Sequence, residues 1–318
     1  MYEQASIFDD IPYYKIPKGK VIRMIELFAG VGAQSKALER LGVPFEHYRV
    51  CEFDKYAVRS YNAIHGTNFE TSDIRDIHAE DLGIVETDKY EYIMTYSFPC
   101  TDLSVAGKMQ GMSRDSGTRS GLLWEVERLL KECTNLPQIL LLENVPQICG
   151  SKNERDFNEW LIFLEKLGYS NFYEIMNAKD YGVPQNQERC FMVSILGNWR
   201  YKFPKPIKLE KRLKDLLEDK VDEKYYLSDA YLKYAEDLTV KMKAENKGFV
   251  FDPTWGGGTA KAVTGNAGNR VTDNFVYSPL NAEADGTCRT IKAQYQQSSY
   301  ANFVRQGTYG ATGVIKID

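Results

Sequence analysis

The chain has 318 residues, 43% of them hydrophobic and 13% aromatic, which is enough for a full-size core and argues against wholesale disorder. Its formal net charge of -4 names no partner, although the stretch from Trp199 onward is less acidic than the rest, as fits a nucleic-acid-facing module or a plain solvated surface. The six cysteines are scattered without a C-x-x-C pair, which argues against a zinc site and a disulfide framework, and with neither a signal peptide nor a membrane-crossing run in view a soluble, cytoplasmic protein is expected.

Residues 1–20 read as a polar lead-in closed by Pro17-Lys18-Gly19-Lys20. Val21 to Phe28 reads as a mostly buried strand, and Ala33 to Leu41 as a helix ended by Gly42. A second strand, His47 to Phe53, leads through Asp54 into a helix from Lys55 to Ile64, closed by Gly66. Tyr90 to Tyr96 is a third strand, Gly121 to Cys133 a helix, Ile139 to Leu142 a fully apolar strand, and Phe157 to Leu167 a helix before Gly168. Phe172 to Asn177 and Arg189 to Ile195 complete the strands. This alternation implies an α/β fold with a mostly parallel sheet and helices on both faces, over residues 21–200.

After Gly197 the texture changes. Lys202-Phe203-Pro204-Lys205-Pro206 resembles a linker, and Leu209 to Lys220 reads as a charged helix. Beyond Lys247 come glycine, asparagine, threonine and serine around Trp255-Gly256-Gly257-Gly258, as in a smaller loop-rich module. Residues 201–318 are therefore set apart as a linker and a partial recognition region.

Several places along the core could carry chemistry. In Glu26-Leu27-Phe28-Ala29-Gly30-Val31-Gly32 a strand turns into a helix, and the glycines let the backbone approach a ligand. A bare G-x-G is weak evidence, and a simple tight turn is the commoner meaning. Glu52 ends the next strand, where an acidic side chain can hold ribose hydroxyls, and Asp73, before Ile74, could meet an adenine amino group. Each carboxylate alone is more often a surface or capping group; in this order they point to a nucleoside-bearing cofactor.

Phe98-Pro99-Cys100-Thr101 follows the third strand, where open α/β sheets place reactive groups. A lone cysteine is more often buried structure than nucleophile. The polar, glycine-containing run after it, residues 101–120, has the composition of a lid. Glu143 leaves the end of an apolar strand, so partial desolvation would raise its pKa and let it carry a proton near neutrality. Arg189 is its natural basic partner.

Taken together, ELFAGVG, Glu52-Phe53-Asp54, Asp73-Ile74, SFPCTDLSVAG, LLENV and DYGVPQNQERCFMV resemble the DNA (cytosine-5)-methyltransferases of bacteria and phages. The resemblance covers residues 21–196 and implies the S-adenosylmethionine-dependent methyltransferase fold, a Rossmann-like α/β sandwich. It implies that Cys100 adds to C6 of a cytosine flipped out of double-stranded DNA, that Glu143 protonates N3, and that Arg189 holds the base and orients the carboxylate. Nearby cationic charge would lower the thiol pKa. Around S-adenosyl-L-methionine it places Phe28, Ala29, Gly30 and Gly32, with Glu52 on the ribose, Phe53 packed on the adenine, Asp73 and Ile74 at its edge, and Pro99 and Leu122 lining the pocket. Ser104 would contact backbone or base, and Trp255, Arg270, Arg289, Lys292 and Arg305 could reach DNA. No metal is called for.

Two departures from that family stand out. Gln187 occupies the place of a usual first arginine, leaving only Arg189. The family's final Gly-Asn segment has no convincing counterpart; Gly265-Asn266 and Gly268-Asn269 have the dipeptide without its surroundings. The expectation is a monomer, with a second chain supplying the final segment as the alternative. A catalytically silent DNA-binding homologue and an RNA cytosine methyltransferase are the competing readings.

Overall fold

The structure is a computed structural model. It describes residues 11–100, 103, 111–114, 117–216, 227–246, 251, 254–255, 259–261, 275–282 and 288–292. Two compact units emerge, one of residues 1–176 with 188–204, the other of residues 177–187 with 205–318.

The first unit is built on a six-stranded sheet. Its strands are β1 (Val21–Leu27), β2 (Phe45–Cys51), β3 (Tyr90–Tyr96), β4 (Ile139–Asn144), β5 (Tyr169–Asn177) and β7 (Glu188–Leu196), in the order β2-β1-β3-β4-β7-β5. The pairs β1–β2, β1–β3 and β3–β4 are parallel, and β4–β7 is antiparallel. The order reverses between β1 and β3, the crevice where doubly wound sheets bind ligands. Register Leu27↔Tyr96 brings the two strand ends level, so the glycine loop after β1 and the cysteine segment after β3 leave the sheet side by side.

The helices of this unit are α1 (Ala33–Arg40), α2 (Lys55–His65), the short α3 (Ala79–Leu82), α4 (Leu123–Glu132) and α5 (Glu154–Lys166). Each begins or ends where local chemistry requires it. Asp54 caps α2 by accepting from the Tyr56 and Ala57 amides, and Gly66 ends it in the left-handed conformation. Leu123, Val126, Leu129 and Leu130 of α4 and Phe157, Trp160 and Leu164 of α5 pack with Met94, Tyr96, Leu140, Leu142 and Met192 of the sheet. The buried Trp160 indole donates to the Tyr96 hydroxyl (3.2 Å), so its one polar atom is satisfied.

The lead-in is better anchored than its composition implies. The Tyr14 amide donates to the Arg200 carbonyl (3.2 Å), and the Arg200 amide donates to the Pro12 carbonyl (2.9 Å). The Tyr14 hydroxyl and Lys20 ammonium both reach the fully buried Glu91 carboxylate. A polar segment is held here because β3 buries an acid that needs partners.

In the second unit, β6 (Gln185–Asn186) pairs in parallel with β9 (Ala260–Lys261). A separate sheet has the order β11-β10-β8, from β8 (Thr254–Trp255), β10 (Phe275–Ala282) and β11 (Cys288–Lys292). The expected helix from Leu209 to Lys220 is not formed over its described part. Only a 3-10 turn, Leu213–Leu216, is present, with Leu213 buried beside Ala260. Asp215 accepts from the Arg212 amide (2.7 Å) at the start of that turn, and of Leu209, Leu213 and Leu216, which stand at helical spacing, only Leu213 is buried. A helix the sequence reading lacks, α6 (Asp229–Ala244), starts at Ser228, whose hydroxyl accepts from the Tyr231 amide.

Candidate active site

The glycine loop is tightly shaped. Phe28, Gly30 and Gly32 all have positive φ, at 56°, 56° and 78°. For Phe28, a residue with a Cβ, that conformation costs roughly 1–2 kcal/mol, and such strain collects where a ligand is gripped. Below the loop, the fully buried Glu26 accepts from the Ser35 amide and from the Ser35 and Tyr61 hydroxyls. These bonds pin α1 and α2 to the end of β1.

Glu52 lies one residue past β2. One oxygen accepts from the Gly30 amide (3.0 Å) and the other from the Asp54 amide (2.9 Å). A carboxylate offers about four acceptor sites, so capacity for two hydroxyls remains. Phe53 beside it is 70% exposed, a flat apolar face next to an acceptor pair. Asp73 is held by the Arg75 amide (3.0 Å) and guanidinium (Nε, 2.9 Å), and the guanidinium pulls its pKa down to about 2. Ile74 is buried, as is Ala29, while Pro99 and Leu122 are half-buried.

Cys100 ends a segment held from both sides by side chains. Asn144 Nδ2 donates to the Phe98 carbonyl (3.0 Å), and Ser120 Oγ donates to the Pro99 carbonyl (2.8 Å). The Leu103 amide then donates to Cys100 O (3.0 Å), turning the chain back. Ser104, Arg270 and Arg305 lie outside the described residues, as do both Gly-Asn dipeptides and most of the expected lid; Trp255, Arg289 and Lys292 are described in backbone only.

Glu143 and Arg189 meet because the β4–β7 register is fixed. Glu143 opposes Phe191 and Asn144 opposes Cys190, so Arg189 is the diagonal neighbour of Glu143 on the same face. Arg189 Nε lies 2.8 Å from Glu143 Oε1. Burial nonetheless raises the Glu143 pKa, against the lowering effects of Arg189 and of a hydrogen bond from Ser97. Ser97 in turn accepts from Gln34 Nε2 of α1 (3.1 Å). Gln34, Ser97 and Asn144 are the site residues that the sequence reading missed as such. Ser97 and Asn144 lie inside the two diagnostic motifs, but nothing in their spacing announces these bonds.

The thiol departs from expectation. Burial raises the Cys100 pKa; Arg189 lowers it and Glu143 raises it. Burial outweighs the Arg189 guanidinium, whose charge is shared with the Glu143 carboxylate, so the thiol pKa is raised rather than depressed.

These features define a doubly wound α/β protein with a strained glycine loop at its switch point and a cysteine–glutamate–arginine group along the same sheet edge. A family profile for C-5 cytosine-specific DNA methylases matches residues 22–309. The Type II methyltransferase M2.ScrFI of Lactococcus lactis subsp. cremoris is 35% identical over 66% of this chain and 71% of its own length. The orphan methyltransferase M.SssI of Spiroplasma monobiae is 32% identical over 84% of this chain and 86% of its own. Among solved structures, the Entamoeba histolytica methyltransferase EhMeth shares the fold with a TM-score of 0.64 at 16% identity, covering 94% of this chain and 83% of that one. The chain belongs to the C-5 cytosine-specific DNA methylase family and is a DNA (cytosine-5)-methyltransferase.

Proposed function

We propose that the chain methylates cytosine C5 in double-stranded DNA from S-adenosyl-L-methionine, through a covalent bond between Cys100 and C6 of a flipped-out base. The observation that carries this reading is the Glu143–Arg189 pair at 2.8 Å, with a carboxyl pKa raised by burial, on the same sheet edge as Cys100. A carboxylate whose pKa is raised takes up a proton more readily than usual and can donate it to N3, which drains electron density from the ring and opens C6 to sulfur. Arg189, anchored by Glu143, keeps guanidinium N–H groups for the base. The donor site fits an adenosine-bearing molecule: Glu52 has spare acceptor sites for ribose hydroxyls, and Phe53 offers an exposed face for a purine.

The chain's own steps balance. The Cys100 thiol gives its proton to solvent water and its sulfur forms the S–C6 bond, while the electrons of the C5–C6 double bond shift through the ring toward N3, which takes the Glu143 proton. S-adenosyl-L-methionine, when bound, supplies an electrophilic methyl group to C5. A solvent water then takes the C5 proton, the electrons of that C–H bond restore the C5–C6 double bond, the S–C6 pair leaves on the Cys100 sulfur, and N3 returns its proton to Glu143. Residues from 205 onward are assigned to target recognition.

The test is a duplex carrying 5-fluorocytosine at mixed-sequence sites, incubated with the chain and S-adenosyl-L-methionine. Fluorine does not leave as a cation, so turnover stalls as a denaturation-resistant adduct. An adduct formed by the native chain and absent with Cys100→Ser supports the reading. A folded protein that methylates an ordinary duplex but forms no adduct, or whose adduct survives Cys100→Ser, overturns the covalent step.

A further inference from the structure

Two of the chain's three histidines meet behind the glycine loop, although 17 residues separate them in sequence. His47 on β2, His65 at the end of α2 and Glu39 on α1 place one ligand atom each within 4.8 Å of one another. His65 Nδ1 lies 2.7 Å from Glu39 Oε1, and His47 Nε2 lies 3.7 Å from the same oxygen.

Hydrogen-bond accounting fixes what these nitrogens present. His65 Nε2 is 3.1 Å from the Val31 carbonyl, which only accepts, so Nε2 carries a proton. His47 Nδ1 is 2.8 Å from the Tyr61 oxygen, whose own proton goes to Glu26. His47 Nδ1 is therefore the donor, and in the neutral ring Nε2 aims a lone pair at Glu39 Oε1. For neutral rings, two imidazole lone pairs and a carboxylate oxygen converge on one point, with each histidine's second nitrogen tied to a fixed acceptor. That is the outer-shell arrangement of metal-binding histidines, where the second N–H fixes tautomer and orientation.

We infer that Glu39, His47 and His65 form a site for a divalent transition-metal ion of the zinc or cobalt class, open to solvent at a fourth position. Two imidazoles and one carboxylate suit such ions and do not suit magnesium or calcium, which prefer all-oxygen shells. Donors around a tetrahedral ion with bonds near 2.0–2.1 Å stand about 3.3 Å apart, between the two measured separations. Entry of the ion displaces a proton from between His65 and Glu39 and leaves the Lys36 ammonium, 2.6 Å from Glu39 Oε2, as a competitor for the carboxylate. Occupancy ties α1, β2 and α2 together and, through His65 and Val31, braces the loop that carries Gly30 and Gly32.

The experiment uses the full chain, free of affinity tags and stripped of metal with a chelator, titrated with Zn²⁺ and Co²⁺ by calorimetry and absorption. One equivalent is expected, with a Co²⁺ spectrum that lacks thiolate charge transfer. Zn²⁺ at about 100-fold over its dissociation constant should raise the melting midpoint by about 5 °C, and Mg²⁺ should not. Glu39→Gln and His47→Gln should each lose at least about 10-fold in affinity, while His78→Gln, on another surface, should lose none. Lys36→Ala removes the competitor and should tighten binding, which keeps the inference testable if a histidine variant fails to fold. Absence of binding overturns it, as do a thiolate spectrum or an affinity indifferent to both Glu39→Gln and Lys36→Ala.

Discussion

Arg189 Nε sits 2.8 Å from Glu143 Oε1, and both side chains act on the Cys100 thiol in opposite senses. Burial dominates and raises the thiol pKa above its ordinary value of 9.0. Alkylation of Cys100 in the free protein should therefore rise with pH with a midpoint above that value. Arg189→Gln removes the stabilising positive charge and should move the midpoint further up. Glu143→Gln removes a negative charge and should move it down. Peptide mass spectrometry after iodoacetamide treatment reads this directly, and a downward shift in Arg189→Gln would contradict the assignment. Glu143→Gln should also lower methylation by about 10²–10⁴-fold, the usual contribution of a general acid.

Asn144 links the end of β4 to the cysteine segment: its Nδ2 donates to the Phe98 carbonyl, and its Oδ1 accepts from the Val145 amide (2.9 Å). The side chain is buried, so Asn144→Ala strands two polar backbone groups away from water. A destabilisation of about 1–3 kcal/mol is expected in urea melts. Methylation by the folded fraction should fall as well, because the Phe98 carbonyl no longer fixes the strand exit. Unchanged activity per folded molecule would confine Asn144 to stability.

Much of this was legible from sequence because the core elements obey their own periodicity. β4 reads as apolar and is buried at alternate positions, and α4 carries Val126, Leu129 and Leu130 at helical spacing, all buried. The site was legible because its residues stand at strand ends. What sequence concealed depends on register and on side-chain reach. The diagonal of Glu143 and Arg189 is set by the β4–β7 pairing, Gln34 reaches Ser97 across 63 residues, and His47 finds His65 only once β2 and α2 pack. Over its described part the Leu209 to Lys220 expectation gives way to a 3-10 turn: Leu209, Leu213 and Leu216 stand at helical spacing, but only Leu213 is buried, so little tertiary packing supports a longer helix.

Gly32 and Gly30 share a left-handed backbone but not the same surroundings. A Cβ on Gly32 would come within 2.4 Å of His65 Nε2 and 2.5 Å of Tyr61 Cε2, whereas a Cβ on Gly30 meets nothing within 4 Å. Gly30→Ala should cost only the conformational penalty of about 1–2 kcal/mol. Gly32→Ala adds an overpacking cost of about 1–3 kcal/mol because two buried rings must shift. Chemical denaturation of the two variants side by side should rank them in that order; equal stabilities would mean that the rings move freely.

Asp73 offers a pH test with a defined sign. Its folded pKa, about 2, lies below the ordinary value of 3.8. The stability from its pairing with Arg75 is present above about pH 4 and is lost as pH falls through about 2. Arg75 is largely exposed, so solvent screening keeps the contribution small. Asp73→Asn should lower the melting midpoint slightly at pH 7, and the difference should shrink as pH falls toward 2 and vanish below it. A difference that grows toward acid would reverse the sign and remove the pairing as its cause.

Phe53 is large, apolar and 70% exposed, although it directly follows a residue hydrogen-bonded through both carboxylate oxygens. Surface truncations away from caps and packed contacts usually change stability by no more than about 0.5 kcal/mol, so Phe53→Ala should melt with the native chain. If the ring stacks on the adenine, its loss should weaken the donor by about 1–3 kcal/mol, roughly 5–150-fold in KM for S-adenosyl-L-methionine, with kcat little changed. The split between KM and kcat is the decisive readout, because a general disturbance of the site would lower both. An unchanged KM would assign the exposed ring elsewhere and leave Glu52 as the principal anchor of the nucleoside.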